Sequence, residues 1–220
     1  MSKEYTNGDR EKHSLKPNGR GIFGTLPSPE ARIIQDHDQL VKYADACRTL
    51  NLSIVMTSGT FDLLHIGHAK YLEKAKSYGD ILVVCVDSDE KVRQRKGKTR
   101  PVVPDTERVQ MLAHLRSVDI ITLKYPDEPR WDLIKKIAPD TLVVTKETYD
   151  DKTLQELANH CGRVVSLEPQ ATTSTSAQIR RLQVGWTSTI MKPVNELLDT
   201  YKTSDTLREK LNAILEKWRR

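Results

Sequence analysis

The stretch SGTFDLLHIGH, residues 58–68, decides the fold because it joins a strand pattern to a helix pattern. The run SIVMT before it, residues 53–57, is apolar and β-branched, which predicts a buried strand. Apolar residues then recur at helical spacing, which predicts a helix over residues 67–77. A strand that passes through a short loop into a helix is the first half of a βαβ unit.

Strand and helix patterns continue to alternate along the chain. Continuous apolar runs predict further strands over residues 81–86, 119–123, 141–145 and 163–167. Helices are predicted over residues 36–50 and 105–116 and, as shorter pieces, around residues 131–137 and 154–161. The polar segment between residues 87 and 104 is predicted to be a long loop with a helical turn at its start. This order predicts an α/β fold with a doubly wound, mostly parallel, five-stranded sheet.

The composition predicts three parts in the chain. Residues 1–30 are rich in glycine, proline and scattered charges, which predicts a flexible arm. Residues 31–182 form the predicted α/β domain, and residues 183–220 a C-terminal helical extension. In that extension Pro193 is expected to begin one helix, and Thr206 with Glu209 forms a capping-box pattern for a second. These helices would pack on the core or on a second subunit, so a homodimer is one expectation.

Charge and hydropathy narrow the functional classes. The net charge of +5 is a mild excess, which suits phosphorylated small molecules and is too weak to argue for nucleic acid. No apolar run reaches the roughly 18 residues that a membrane span needs, and the N-terminus lacks the apolar core of a signal peptide. The three cysteines fit no metal-site spacing and are predicted to be buried thiols, as in a cytoplasmic protein.

The start of this stretch, residues 58–61, suits the binding of a phosphate chain. Gly59 would allow a tight turn, and the amides of Thr60 and Phe61 would then face an anion. The helix start after His65 would add its positive dipole end. Such sites lie at the carboxyl ends of parallel strands, which is where the stretch follows the first strand.

Two histidines in this stretch are the candidate catalytic residues. His65 and His68 are three apart, so they share one helix face, and Gly67 between them leaves room for a nucleotide. Imidazoles placed there can donate hydrogen bonds to phosphate oxygens, where charge accumulates in the transition state. The alternatives are polar residues at a plain helix start, or a zinc site that lacks a third ligand at a suggestive spacing.

A basic segment and a hydroxyl-rich segment are further candidates. Six cations lie in ten residues, namely Lys91, Arg93, Arg95, Lys96, Lys98 and Arg100. They predict a clamp that closes over a triphosphate, with Lys98 and Arg100 the strongest candidates because Pro101 stiffens the chain beside them. A solvated charge run or a nucleic-acid patch is the alternative. The hydroxyls of Ser174, Thr175 and Ser176 precede a helix pattern, where they would bind phosphate or simply cap the helix.

The chain resembles the nucleotidyltransferase superfamily with the His-x-Gly-His motif, which includes glycerol-3-phosphate cytidylyltransferase and phosphopantetheine adenylyltransferase. The resemblance runs from about residue 34 to residue 182 and is strongest to the adenylyltransferase domain of the heptose-1-phosphate enzymes. Besides residues 58–68, it is carried by residues 96–104 with Glu107-Arg108, by residues 137–140 and by residues 174–176.

The resemblance implies a role for each matching residue. His65, His68 and Lys98 would be catalytic, and Arg108 and the hydroxyls of residues 174–176 would hold the nucleotide phosphates. Mg²⁺ is the implied cofactor, and Asp62 or Asp87 is expected to hold the metal or the acceptor. The implied reaction transfers AMP from ATP to a sugar 1-phosphate and releases pyrophosphate, with no part for nucleic acid or membrane.

Two departures from the family pattern bear on specificity. Residues 145–149 read TKETY, whereas the resembling enzymes have a turn with glycine and aspartate beside the nucleotide base. Pro169 lies where the cytidylyltransferases carry an arginine, which counts against CTP. The alternatives left open are a cytidylyltransferase acting on glycerol or another polyol phosphate, a non-catalytic nucleotide-binding module, and an RNA-linked adenylating enzyme.

Overall fold

A computed structural model describes residues 28–146, 148–171, 174–200, 209, 210 and 213. A 3-10 turn, Pro29–Arg32, precedes the first helix. The strands are β1 (Ile54–Gly59), β2 (Ile81–Asp87), β3 (Ile120–Lys124), β4 (Thr141–Thr145) and β5 (Arg163–Leu167). The helices are α1 (His37–Thr49), α2 (Ile66–Lys76), α3 (Asp89–Lys96), α4 (Asp105–Ala113), α5 (Asp132–Ile137), α6 (Asp151–Ala158) and α7 (Thr175–Thr200).

The five strands form one parallel sheet in the order β3-β2-β1-β4-β5. The sequence order reverses between β1 and β4, so the crevice above the carboxyl ends of these strands is the switch point where such sheets bind ligands. The predicted doubly wound α/β fold is therefore confirmed. It is wholly parallel within the described residues, and the loop of residues 60–65 leaves β1 at the switch point.

Apolar side chains cover both faces of the sheet. One cluster packs α1, α5 and α6 against one face around Met56, Leu142 and Leu157. The other packs α2 and α4 against the opposite face around Val84, Leu72 and Leu112. Strands that are buried on both sides need apolar residues at successive positions, which is why β2 reads ILVVCVD.

Side-chain caps set where several elements begin. Asp36 is the N-cap of α1, and its carboxylate accepts hydrogen bonds from the amides of Asp38 and Gln39. The Asp119 carboxylate accepts from the Leu82 amide at 2.7 Å and pairs with Lys76 at 2.6 Å. These contacts tie the start of β2 to the end of α2 at the amino edge of the sheet.

Two local predictions were wrong. The segment after β2 holds an eight-residue helix, α3, because Ser88 caps it through the Lys91 amide and Val92 anchors it in the core. Pro193 lies inside α7 and does not begin a helix. An interior proline costs a helix about 3 kcal/mol, yet α7 continues past Pro193 to Thr200.

The termini lie partly outside the described residues. Residues 1–27 of the predicted arm are among those not described, and so is most of the predicted second C-terminal helix. Glu209, Lys210 and Ala213 of that helix are helical and exposed. The helix α7 passes through the predicted domain boundary at residue 182 without a break.

None of the helices in the described part of the chain is long and apolar enough to cross a bilayer. Cys47 and Cys85 are buried free thiols, as predicted, whereas Cys161 is only partly buried.

Candidate active site

The loop after β1 turns through two residues with positive φ. Phe61 has φ 51° and Leu63 has φ 46°. Gly59 was expected to make this turn, but it is the last residue of the extended strand β1. Its missing side chain instead makes room for a ring, since a Cβ on Gly59 would lie 3.1 Å from the phenyl ring of Phe61.

His65 and His68 stand together at the N-terminus of α2. His65 is the N-cap, and its Nδ1 accepts a hydrogen bond from the Gly67 amide at 3.1 Å. The Nδ1 of His68 accepts from the His65 amide at 3.4 Å. The two rings stack with centroids 3.9 Å apart and planes inclined by 26°. When Nδ1 accepts, a neutral imidazole carries its proton on Nε2, so both rings are assigned as Nε2–H donors.

The surroundings keep both imidazoles uncharged at neutral pH. Burial, followed by the neighbouring His65 ring, lowers the pKa of His68 from 6.5 to about 4, although Asp62 acts in the opposite direction. Burial also lowers the pKa of His65. The pair therefore offers hydrogen-bond donors and not positive charges.

Gly67 is required by the position of the His65 ring. A Cβ on Gly67 would lie 2.9 Å from Cε1 of His65 and 3.2 Å from the Cβ of Ala171. Any side chain here would displace the imidazole or the segment before α7. The glycine therefore brings the starts of two helices, α2 and α7, close together.

The histidines line a cavity of about 570 Å³ at the carboxyl edge of the sheet. Most predicted site residues border it, namely Gly59, Thr60, Phe61, Asp62, His65, Gly67, His68, Asp87, Arg100, Ser174, Thr175 and Ser176. The basic segment contributes Arg95 and Lys96, and the two departures from the family pattern contribute Thr145, Thr148, Tyr149 and Pro169. Besides Ser58 at the start of the motif, the cavity is also lined by residues that were not singled out from the sequence, namely Tyr71, Lys124, Gln170 and Ala171. The catalytic groups and the predicted phosphate-binding groups therefore share one crevice.

Asp62 fixes the basic loop. Its side chain is 1% exposed, and its carboxylate pairs with Arg100 at 2.8 Å and accepts the amides of Val102 and Val103. Burial alone would raise the pKa of Asp62, but the hydrogen bonds from Val103, Val102 and Arg100 outweigh it and hold the pKa below its usual value. Asp62 was a candidate for a metal or acceptor contact, and this geometry commits its carboxylate to the loop instead.

Two predicted cation roles do not fit the geometry. Lys98 is exposed and does not border the cavity, whereas Lys96 does, two residues earlier at the end of α3. Arg108 was expected to hold phosphate, but it is 2% exposed and turned into the protein.

The guanidinium of Arg108 joins the two loops that carry the site. It donates to the carbonyl oxygens of Thr60, Asp87 and Val103 and pairs with the carboxylate of Asp89 at 2.8 Å. Arg108 thus acts as a positioning residue beneath the cavity. The sequence gives no signal for this, because a lone arginine on a helix is normally exposed.

The N-terminus of α7 closes the cavity on the other side. The Ser174 hydroxyl accepts the Ala177 amide at 3.2 Å, as an N-cap does. The Thr175 hydroxyl donates to the Asp62 carbonyl at 2.7 Å. This bond links α7 to the loop after β1. Ser174, Thr175 and Ser176 border the cavity at the start of α7, and helix N-termini commonly bind anions.

The altered turn after β4 places side chains in the cavity wall. Thr148 closes the turn by donating its amide to the Thr145 carbonyl at 2.9 Å. The ring of Tyr149 meets Trp131 edge to face with centroids 5.6 Å apart. The Trp131 indole in turn donates to Glu156 at 3.0 Å. Tyr149 is therefore held by packing at a place where the resembling enzymes have a turn with glycine.

The switch point of this parallel sheet carries two neutral imidazoles, two helix N-termini and several cations. These features together are typical of a nucleotidyltransferase site. The model of the cytidylyltransferase-like family matches residues 56–206. This match covers more than half of the chain, and the chain belongs to the cytidylyltransferase-like family. The resemblance inferred from residues 58–68 is thereby confirmed.

Similar proteins include bacterial relatives named bifunctional protein HldE. The one from Aliarcobacter butzleri is 37% identical over 152 residues, which are 68% of this chain and 31% of the relative. The one from Alkalilimnicola ehrlichii is 40% identical over 177 residues, which are 79% of this chain and 34% of the relative. The chain thus spans about a third of the length of these relatives. A solved structure of a lipopolysaccharide core biosynthesis protein from Thermoplasma volcanium aligns with a TM-score of 0.47 at 30% identity, over 53% of this chain and 96% of that one.

Proposed function

We propose that this chain transfers AMP from ATP to the phosphate of a sugar 1-phosphate and releases pyrophosphate. The observation that carries the proposal is the stacked pair His65 and His68, with both Nδ1 atoms engaged and both Nε2–H groups left as donors. Membership of the cytidylyltransferase-like family and the similarity to the HldE proteins support the reaction class.

The reaction is an in-line displacement at the α-phosphorus. A phosphate oxygen of the acceptor forms the new P–O bond, the bond between the α-phosphorus and the bridging oxygen breaks, and pyrophosphate carries away the electron pair. The acceptor phosphate is already anionic at neutral pH, so the step needs no general base. Catalysis then depends on positioning and on stabilising the charge that builds on the phosphate oxygens.

The described side chains divide this work. The Nε2–H donors of His65 and His68 serve the α- and β-phosphate oxygens, where neutral rings are effective because they are buried and fixed before the reaction. We assign the phosphate-binding role to Lys96 and not to Lys98, because Lys96 borders the cavity. Arg100, held by Asp62, and the first turn of α7 would bind the rest of the triphosphate.

A magnesium ion would bind chiefly through the nucleotide. Among the described residues, no group of three or more His, Cys, Asp or Glu side chains is placed to hold a metal. Asp62 is committed to the loop, and Asp87 pairs with two cations. Mg²⁺ commonly binds substrate phosphates and waters with few protein ligands, which fits this site. Its chemical contribution would be to neutralise phosphate charge.

The proposal of ATP instead of CTP rests on the residues that line the part of the cavity where the nucleotide base would bind. Pro169 borders the cavity and offers no charged donor where the cytidylyltransferases place an arginine. Tyr149 and Tyr71 border the same crevice and offer aromatic surface for a base. CTP with a polyol phosphate is the competing pair.

The test is pyrophosphate release, measured with each of ATP, CTP, GTP and UTP against a panel of sugar 1-phosphates and polyol phosphates. We expect release with ATP and a sugar 1-phosphate. Release only with CTP and a polyol phosphate would replace the proposed substrates. Nucleotide binding without release from any pair would favour a non-catalytic module.

A further inference from the structure

The cavity has two chemically different ends. Toward β4, β5 and α7 it is lined by aromatic, hydroxyl and small side chains, such as Tyr149, Ser174 and Ala171. Toward β2 and β3 it is lined by charged side chains, Asp87, Arg95 and Lys124. The histidines follow β1, which lies between the two ends in the sheet. A nucleotide with its phosphates at the histidines and α7 would leave the charged end to the second substrate.

Asp87 organises the charged end. It is the last residue of β2 and pairs in register with Lys124, the last residue of β3. Its side chain is 3% exposed. One carboxylate oxygen contacts the Arg95 guanidinium at 2.8 Å, and the other lies 3.6 Å from Nζ of Lys124. The buried carboxylate of Asp87 thus orients two cations, Arg95 and Lys124. The three side chains together carry a net positive charge.

Both cations keep donors for a ligand. One terminal nitrogen of Arg95 donates to Asp87 and to the Thr60 hydroxyl at 2.9 Å, so its other N–H groups point away from these two partners. Nζ of Lys124 lies beyond hydrogen-bond length from Asp87, so its three N–H groups are not committed to that carboxylate. Arg95 is 54% exposed and Lys124 is 20% exposed, so a ligand in the cavity can reach both.

Two further cations, Lys96 and Arg100, also border the cavity. Burial, followed by Arg95 and Arg100, lowers the pKa of Lys96, whereas Asp87 and Asp62 act in the opposite direction. Arg100 is neutralised by Asp62 and adds little to the net positive charge. The uncompensated charge therefore lies beside β2 and β3, opposite the aromatic end.

We propose that Arg95 and Lys124, oriented by Asp87, bind the phosphate monoester of the acceptor. This inference rests on the proposed function, because it assigns the second substrate of that reaction. A phosphate monoester carries close to two negative charges at neutral pH and matches two fixed cations. Bound there, the acceptor phosphate would lie on the side of the histidines that is away from the aromatic end. Asp87 is then a positioning residue and not a metal ligand.

The experiment is a binding and kinetic comparison of Lys124→Gln, Arg95→Gln and the conservative Lys124→Arg with the wild type. The binding probe is inorganic phosphate, titrated into protein saturated with α,β-methylene-ATP and Mg²⁺. The same variants are assayed for the KM of each substrate by pyrophosphate release. The control is Arg93→Gln, on the same helix α3, whose side chain is 52% exposed and pairs only with Asp89 among the described residues.

We expect Lys124→Gln and Arg95→Gln to raise the phosphate Kd and the acceptor KM at least about tenfold, while the affinity for the ATP analogue changes less than about twofold. Lys124→Arg should restore most of the loss, and Arg93→Gln should behave as the wild type. Unchanged phosphate binding in both glutamine variants would overturn the inference, and so would an equal loss of analogue affinity. A thermal-stability loss without a binding effect would also overturn it, since the cations would then only neutralise Asp87.

These results separate the two proposals. If no nucleotide and acceptor pair releases pyrophosphate, the proposed function fails. Phosphate titration into the free protein then still shows whether binding depends on Lys124 and Arg95. If release occurs but the acceptor KM is indifferent to both residues, the proposed function stands and the acceptor site lies elsewhere.

Discussion

The ring of His65 lies against the ring of His68 with centroids 3.9 Å apart, and each Nδ1 accepts a backbone amide at the start of α2. One set of hydrogen bonds thus caps the helix and also fixes which ring nitrogen carries the proton. The donors are therefore oriented before any nucleotide binds, which is how preorganised groups lower a barrier.

Replacing Gly67 by alanine tests whether the position of the His65 ring matters. The added Cβ would meet Cε1 of His65 at 2.9 Å, so the imidazole has to move. We expect Gly67→Ala to lower kcat at least about tenfold while the far-ultraviolet circular dichroism is kept, since small misplacements in active sites are costly.

The matched control for that variant is Gly185→Ala, also within a helix. A Cβ on Gly185 meets nothing within 4 Å among the residues that the structure describes, and alanine favours a helix over glycine by roughly 1 kcal/mol. Gly185→Ala should keep full activity. Equal activity in Gly67→Ala and the wild type would contradict the importance of the ring position.

Replacing Asp62 by alanine tests the anchor of the basic loop. The change leaves Arg100 and the amides of Val102 and Val103 without their acceptor. Breaking a buried ion pair on one side costs about 3 kcal/mol, so we expect a loss of that order in urea unfolding, together with a raised KM for ATP. Asp45→Ala, which removes an exposed pair with Arg48, should cost under about 1 kcal/mol. Similar losses in the two variants would show that Asp62 anchors nothing.

The depressed pKa of His68 predicts a pH-dependent stability. The unfolded state takes up a proton as the pH falls below 6.5, whereas folded His68 stays neutral until about pH 4. The unfolded state therefore binds more protons in this window, and stability falls as the pH falls from 6.5 toward 4. Relative to His68→Gln, the wild type should lose on the order of 1–2 kcal/mol between pH 7 and pH 5. A difference that stays constant over this range would mean that the His68 pKa is ordinary.

The metal prediction follows from the ion pairs of Asp87. If magnesium is held chiefly by phosphates, Asp87→Asn should leave the Mg²⁺ concentration for half-maximal rate within about threefold of the wild type, because two cations already occupy the carboxylate. The acceptor KM should rise instead. A tenfold or larger shift in the Mg²⁺ requirement would make Asp87 a metal ligand.

The sheet could be predicted from sequence because its signals are local. The apolar run of residues 141–145 is buried at four of its five positions, whereas the edge strand of residues 163–167 is only partly buried. The predicted limits of both strands nevertheless match β4 and β5. The helix α3 was missed since most of its residues are charged and Val92 alone is buried. A pattern with one buried residue carries no helical period.

The placement of site residues could be predicted where the motif is contiguous, and it could not be predicted where tertiary contacts determine which side chains reach the cavity. His65 and His68 lie together because they belong to one helix start. Lys98 was chosen over Lys96 from its neighbour Pro101, but the C-terminal end of α3 decides which lysine reaches the cavity. Lys124 could not be assigned to the site, since only the register of β3 on β2 brings it beside Asp87.

The most direct measurement is the rate of pyrophosphate release from ATP and a sugar 1-phosphate by the wild type and by His68→Ala, with ATP binding measured in parallel. We expect a kcat at least about 10²-fold lower in the variant, with ATP affinity and fold largely kept, since a donor aimed at the transition state is lost. A variant that turns over at close to the wild-type rate would contradict the assignment of these imidazoles to phosphoryl chemistry.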